Sequence, residues 1–120
     1  MLTPEEAMKA AREAATPTVE KIIKIIDGQL AKYVGVGSIN VEVPTKLKGR
    51  GTANPTEVHP FMLEEATKDY TKPTDSGSYW GVRVNPNNGK RCNQEGEVLE
   101  EFYDLLFTPI FPAPPNPADH

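Results

Sequence analysis

A chain of 120 residues with 38% hydrophobic content is long enough for one domain around one modest core and too short for two. A formal charge of −4 and a pI near 5.2 argue against a general affinity for nucleic acid or for an anionic membrane surface. The single cysteine, Cys92, excludes an internal disulfide, and the two isolated histidines, His59 and His120, complete no zinc spacing with it.

In chain order, Thr3-Pro4-Glu5-Glu6 is a helix start in which Thr3 caps, Pro4 suits the first turn and Glu6 completes a capping box. Ala7, Met8, Ala11, Ala14 and Ala15 then line one side with mostly small residues that bury little area. Thr16-Pro17 repeats the cap-then-proline signal, which predicts a second helix running to about Tyr33. Val19, Ile22, Ile23, Ile26, Leu30 and Tyr33 give that helix one apolar stripe. Past Gly35 and Gly37, Ile39, Val41 and Val43 alternate with Ser38, Asn40 and Glu42, which predicts a half-buried strand over residues 38 to 43, closed by Pro44. A helix packed on a strand is therefore the best-defined unit of the chain.

Residues 45 to 57 are the most basic stretch, with Lys46, Lys48 and Arg50 and no acid between Glu42 and Glu57. Pro60 opens a short helix to Tyr70 with Met62, Leu63, Ala66 and Tyr70 inward. Residues 79 to 84 alternate again, Trp80, Val82 and Val84 on one side and Tyr79, Gly81 and Arg83 on the other. Asn88-Gly89 predicts the turn of a β-hairpin whose short return strand passes Arg91 and Cys92. Val98, Leu99, Phe102, Leu105 and Leu106 stand at helical spacing and predict a last amphipathic helix ending near Phe107. Pro109, Pro112, Pro114, Pro115 and Pro117 make the remainder of the chain an extended tail. The expected fold is α+β: two N-terminal helices, a small mostly antiparallel sheet with a hairpin, and a C-terminal helix in one domain over residues 1–108, then the tail at 109–120.

Lys46, Lys48 and Arg50, with glycine-freed amides and Asn54, are the ingredients for contacting an anion or an acidic partner, although the order of glycines, lysine and hydroxyl is not that of a P-loop. A solvated loop is the plainer reading of the same residues. Tyr79, Trp80 and Arg83, together with Tyr103, offer surfaces for stacking a ring, against the plainer reading of an aromatic strand as core. Cys92 beside Arg91, with His59, is the one nucleophile pair an enzyme could use, but the spacing does not require them to meet. Glu64-Glu65 and Glu100-Glu101 are adjacent pairs, which on a helix point to different sides. From Cys92 onward the charged residues are all acidic, complementary in sign to the basic loop. Ile110 and Phe111 are apolar anchors by which the tail docks on its own domain or on a neighbour.

The layout of capped helix, longer helix, glycine-bounded strand, short helix and hairpin, carried by Thr3-Pro4-Glu5-Glu6-Ala7, residues 26 to 43 and residues 61 to 84, resembles that of small phage-encoded accessory or virion proteins. The resemblance implies a structural or assembly role in the cytoplasm or in a virion, and it transfers no site residue. The chain is thus expected to be a non-enzymatic protein that acts through contacts with a protein partner or with itself, without metal, cofactor or membrane. The alternative is a small binding protein that sequesters an anionic ligand such as a nucleotide. The longest apolar runs are only a few residues, and no charged leader precedes a hydrophobic stretch, so neither a membrane span nor a signal peptide is expected.

Overall fold

The computed structural model of the protein describes residues 1–48 and 54–112. Their elements are α1 (Pro4–Leu30), β1 (Ile39–Pro44), β2 (Lys46–Leu47), β3 (Thr56–Glu57), α2 (Pro60–Thr67), β4 (Tyr79–Val84), β5 (Gly89–Cys92) and β6 (Val98–Ile110). Two helices and a mostly antiparallel sheet make the class broadly α+β, with two of the expected helices replaced.

The first replacement is at the N-terminus, where one helix of 27 residues stands in place of two. Thr3 caps it as expected, accepting the Glu6 N–H at 3.1 Å. Pro17 lies inside it and denies the Glu13 carbonyl its partner, but both residues are exposed, so water can take that bond. Contacts on both sides of the proline hold the axis: Arg12 reaches the Glu65 carboxylate of α2 at 3.2 Å before it, and Ile22 and Ile26 are fully buried after it.

The second replacement is larger. Residues 98 to 110 form the 13-residue strand β6, not a helix. β1 pairs with one edge of β6, from Ile39 opposite Phe107 to Pro44 opposite Phe102. β4 pairs from Tyr79 opposite Ile110 to Val84 opposite Leu105, and β5 continues along β6 from Gly89 opposite Phe102 to Cys92 opposite Val98. All three pairings are antiparallel. In such a strand Tyr103, Leu105 and Phe107 face the helices while Phe102, Leu106 and Ile110 face the other side. Apolar residues on both faces fill the i+3 and i+4 positions and imitate a helical stripe, whereas the run of Phe102, Tyr103, Phe107 and Thr108 suits a strand. Pro109 is tolerated because the Trp80 N–H opposite it points away, donating to the Tyr70 carbonyl at 2.9 Å, so this pair asks no N–H of the proline.

The expected turn at Asn88-Gly89 is also corrected: β4 and β5 run in the same direction along β6, and the reversal comes later, at Asn93-Gln94-Glu95-Gly96. Asn93 builds that turn, its side-chain oxygen accepting the N–H groups of Glu95 (3.0 Å) and Glu97 (2.9 Å), with Gly96 at φ +84°. Gly89 is a strand glycine because the Phe102 ring lies across it and leaves no room for a Cβ. Arg91 in turn stacks 5.0 Å from the centre of that ring and pairs with Glu100 (3.2 Å) and with Glu42 of β1, tying three strands together on the face away from the helices.

The core lies between the sheet and the helices: Val41, Val43, Leu105 and Phe107 from the strands meet Ala15, Ile22 and Ile26 of α1 and Met62, Leu63 and Ala66 of α2. Gln29 adds a polar device. Its side-chain amide donates to the Glu42 carbonyl (2.7 Å) and its oxygen accepts the Glu42 N–H (2.9 Å), so one side chain takes the place of a neighbouring strand on the outer edge of β1. β2 and β3 form a separate ladder, Lys46 opposite Glu57. Of the segment expected as a tail, Pro109 and Ile110 belong to β6, and residues 113–120 lie outside the described residues.

Phe107 is fully buried, packs on the rings of Tyr70 and Trp80 and is paired with both flanking strands, so Phe107→Ala should cost about 3 to 5 kcal/mol in urea unfolding. Gly89→Ala, which forces the Phe102 ring aside, should cost about 1 to 3 kcal/mol by the same measurement. A loss below about 1 kcal/mol for Phe107→Ala would place residue 107 outside the core.

Candidate functional site

Four aromatic side chains from four separate segments converge at the end of the sheet where β4 begins and β6 ends. Tyr33 follows α1 and is held by its hydroxyl, which donates to the Gly37 carbonyl at 3.1 Å. Its ring meets Trp80 of β4 edge to face, at 5.5 Å and 86°. Trp80 also meets Phe107 (6.0 Å, 67°), and Tyr70, just past α2, meets Phe107 from another side (5.7 Å, 87°). The Tyr70 hydroxyl donates to the Asp27 carboxylate of α1, so the residue after α2 is locked to both the long helix and the sheet.

These rings leave a groove of about 340 Å³, within the range of small-ligand and peptide sites. Its other wall is the end of the central strand, Pro109 and Ile110, continued by Phe111, with Tyr79 beside them. The rim is polar: Lys72 and Asp69 pair at 3.2 Å, and the hydroxyls of Thr74, Ser76 and Ser78 bond one another at 2.9 to 3.1 Å. An apolar floor with a polar rim is suited to apolar or amphipathic groups.

Two tyrosine hydroxyls are pushed above their ordinary pKa. Burial does most of this at Tyr70, with its hydrogen bond to Asp27 and that residue's charge adding to it. At Tyr103, whose hydroxyl donates to the Val58 carbonyl at 2.6 Å, burial is again the first cause, followed by the charges of Glu101 and Glu57.

Of the residues singled out from sequence, Tyr79, Trp80, Ile110 and Phe111 are brought together in this groove. Arg83 is not with them: it lines a separate depression of about 350 Å³ on the face away from the helices, with Asn40, Asn85 and Asp104. Lys46 and Lys48 are exposed and border a third, of about 640 Å³, together with Arg91, Glu100 and Glu101. Among the described residues, the ion pair in that depression is the one Arg91 makes with Glu100. Asn54 is exposed, and Arg50 lies outside the described residues. Cys92 is exposed at the end of β5, while His59 stacks on Phe61 at 6.2 Å and 8°. Among the described residues no group of three or more His, Cys, Asp or Glu is placed to hold a metal ion, and no helix is long and apolar enough to cross a membrane.

Tyr33, Tyr70 and Pro109 were not among the sequence candidates for this site. Tyr33 and Tyr70 close apolar stripes and read as core, and only the meeting of α1, α2 and β6 makes them groove walls. No protein-family model, curated protein or solved structure matches this chain.

Because the fold favours the neutral phenols of Tyr70 and Tyr103, the unfolded chain gives up these protons first as pH rises past about 10. Their contribution is present in full below that pH and is lost as the pH climbs towards the higher folded values. The urea midpoint should therefore stay level from about pH 7 to 9 and fall above about pH 10. Tyr70→Phe, which has no proton to lose, should show a shallower fall, and a fall as steep as that of the unaltered protein would contradict this.

Proposed function

We propose that the protein is a non-enzymatic assembly protein that works through protein–protein contacts made at the groove end of its sheet. The supporting observation is the gathering of exposed apolar side chains there. Phe111 is 71% exposed and Ile110 36% at the end of β6, and Val34 (83%) and Val36 (78%) sit on the turn between α1 and β1. That turn is held at the same end of the sheet by Tyr33 packing on Trp80 and by the Ser38 hydroxyl bonding Thr108 at 2.7 Å. Large apolar groups kept in water beside a concave aromatic floor are the composition of a contact surface with a central pocket.

An anionic ligand at Lys46 and Lys48 is the weaker reading. Glu100 and Glu101 border the same depression and oppose a negative charge there.

A charge placed in the contact surface should disrupt association and spare the fold. Phe111→Glu should change unfolding stability by no more than about 0.5 kcal/mol. The unaltered protein should run above its monomer mass in a concentration-dependent way by light scattering, and Phe111→Glu should return it to the monomer. An unaltered protein that is monomeric throughout, with Phe111→Glu indistinguishable from it, would count against self-contact at this end. Lys46→Ser with Lys48→Ser should leave the association unchanged.

A further inference from the structure

We propose that the aromatic groove holds residues 113–117 of a second copy of the chain, so that two copies exchange their proline-rich segments. This rests on the reading of the protein as one that works through protein contacts, and it names the partner and the contact.

The first ground is chemical complementarity. The segment Pro112-Ala113-Pro114-Pro115-Asn116-Pro117 carries the composition of a polyproline II helix, which presents apolar rings and unpaired carbonyls and is already close to its bound conformation. Proteins take such segments in grooves walled by aromatic side chains. Tyr33, Tyr70 and Trp80 line a groove of this kind. Trp80 also carries an indole N–H, a donor that backbone carbonyls accept.

The second ground is where the segment starts. Phe111 is part of the groove wall. Pro112 rests on the rim loop, its Cβ 3.4 Å from the place a Cβ on Gly77 would take. Gly77 has φ +85° and donates its N–H to the Thr74 carbonyl at 2.8 Å, which shapes the loop against which the proline ring lies. The proline-rich segment therefore begins at the mouth of the site that suits it.

The third ground decides whose groove is filled. A residue that precedes proline is held out of the helical region, and proline itself has a fixed φ. Phe111, Ala113, Pro114 and Asn116 each precede a proline, and Pro112, Pro115 and Pro117 supply the remaining positions, so every residue from 111 to 117 is biased to an extended course. A run with that bias is better suited to leading away from the wall on which it starts than to folding back into the groove beside it. At about 3.1 Å per residue, an extended course over residues 113–117 would span about 15 Å, enough to lie along the groove of a neighbouring copy. Exchange in both directions gives a closed pair in which each copy supplies the same two surfaces. The prolines limit the freedom lost on docking, and the second exchange is favoured by the first, which holds the two copies together.

Trp80 is the single tryptophan of the chain and it lines the groove, so its fluorescence reads occupancy directly. The chain shortened to end at Pro112 keeps all of β6 and the groove walls. A synthetic peptide of residues 112–120 should produce a saturable change in the Trp80 emission of the shortened chain, and the same peptide with P114G and P115G should bind at least about tenfold more weakly. By native mass, the full chain should be a dimer and the shortened chain a monomer. If the shortened chain remains a dimer and the peptide leaves Trp80 unchanged, the exchange is overturned while the protein-contact reading stands on another surface. If both chains are monomers and the peptide has no effect, the exchange falls together with self-association. A monomeric full chain whose shortened form still takes the peptide would assign the groove to the chain's own tail, and this too overturns the exchange.

Discussion

Strand β6 is paired along both edges, and the positions of the other elements depend on that. Its inward residues Leu105 and Phe107 are fully buried, and the helices pack on the face they share with Val41 and Val43. A central strand satisfies its own backbone and leaves two outer strands whose edges need management. At β1 this is done by Gln29, whose amide occupies both outward groups of Glu42, and by Pro44, which has no N–H to offer. At β4 the Tyr70 carbonyl takes the outward N–H of Trp80. Gln29 lies on α1 and Tyr70 just past α2, so sheet and helical layer are joined by hydrogen bonds as well as by packing.

The groove is a by-product of the same arrangement. β6 extends past the register of β1, which ends with Ile39 opposite Phe107, while β4 follows β6 to Ile110. Beyond Phe107 the sheet is two strands wide and its helix-side face is only partly covered. Trp80 and Pro109 are left there with the Tyr33 turn on one side and the Tyr70 segment on the other. A site formed by mismatched strand lengths needs no special motif, and it places the end of β6 in its wall. For that reason the contact surface and the start of the proline-rich segment coincide.

Local chemistry was legible where one face decides the structure. Residues 79 to 84 alternate and form β4 over those residues, residues 38 to 43 differ from β1 by one position, and Pro60 opens α2 with Met62, Leu63 and Ala66 buried. It misled where tertiary contacts outweigh local preference. Thr16-Pro17 carries a strong start signal, yet packing on either side keeps α1 continuous through it. Residues 98 to 110 carry apolar side chains on both faces while only Leu105 and Phe107 are fully buried, and that doubled apolar pattern has a helical look. Gly89 follows Asn88 as in a tight turn, but its actual constraint is the ring of Phe102, thirteen positions further on. The edge-capping role of Gln29 has no sequence signature, since a glutamine on a helix is ordinarily a solvated residue. Of the site, Tyr79, Trp80, Ile110 and Phe111 were visible as separate candidates, and what joins them is the strand pairing that the helical reading of residues 98 to 107 concealed.

The position of β6 is most directly tested by proton–proton distances in solution. In an antiparallel ladder the pairs that exchange no hydrogen bonds bring their Cα atoms to about 4.5 Å and their Hα atoms closer still. Asn85 donates to the Asp104 carbonyl and Thr45 to that of Glu101, which places Val82 with Phe107, Val84 with Leu105 and Glu42 with Asp104 in such pairs. A central β6 predicts strong Hα–Hα cross-peaks between these residues, to β1 on one side and to β4 on the other. Their absence, together with sequential i to i+3 contacts through residues 98 to 107, would show a helix there and would contradict the sheet, the groove and the contact surface built on it.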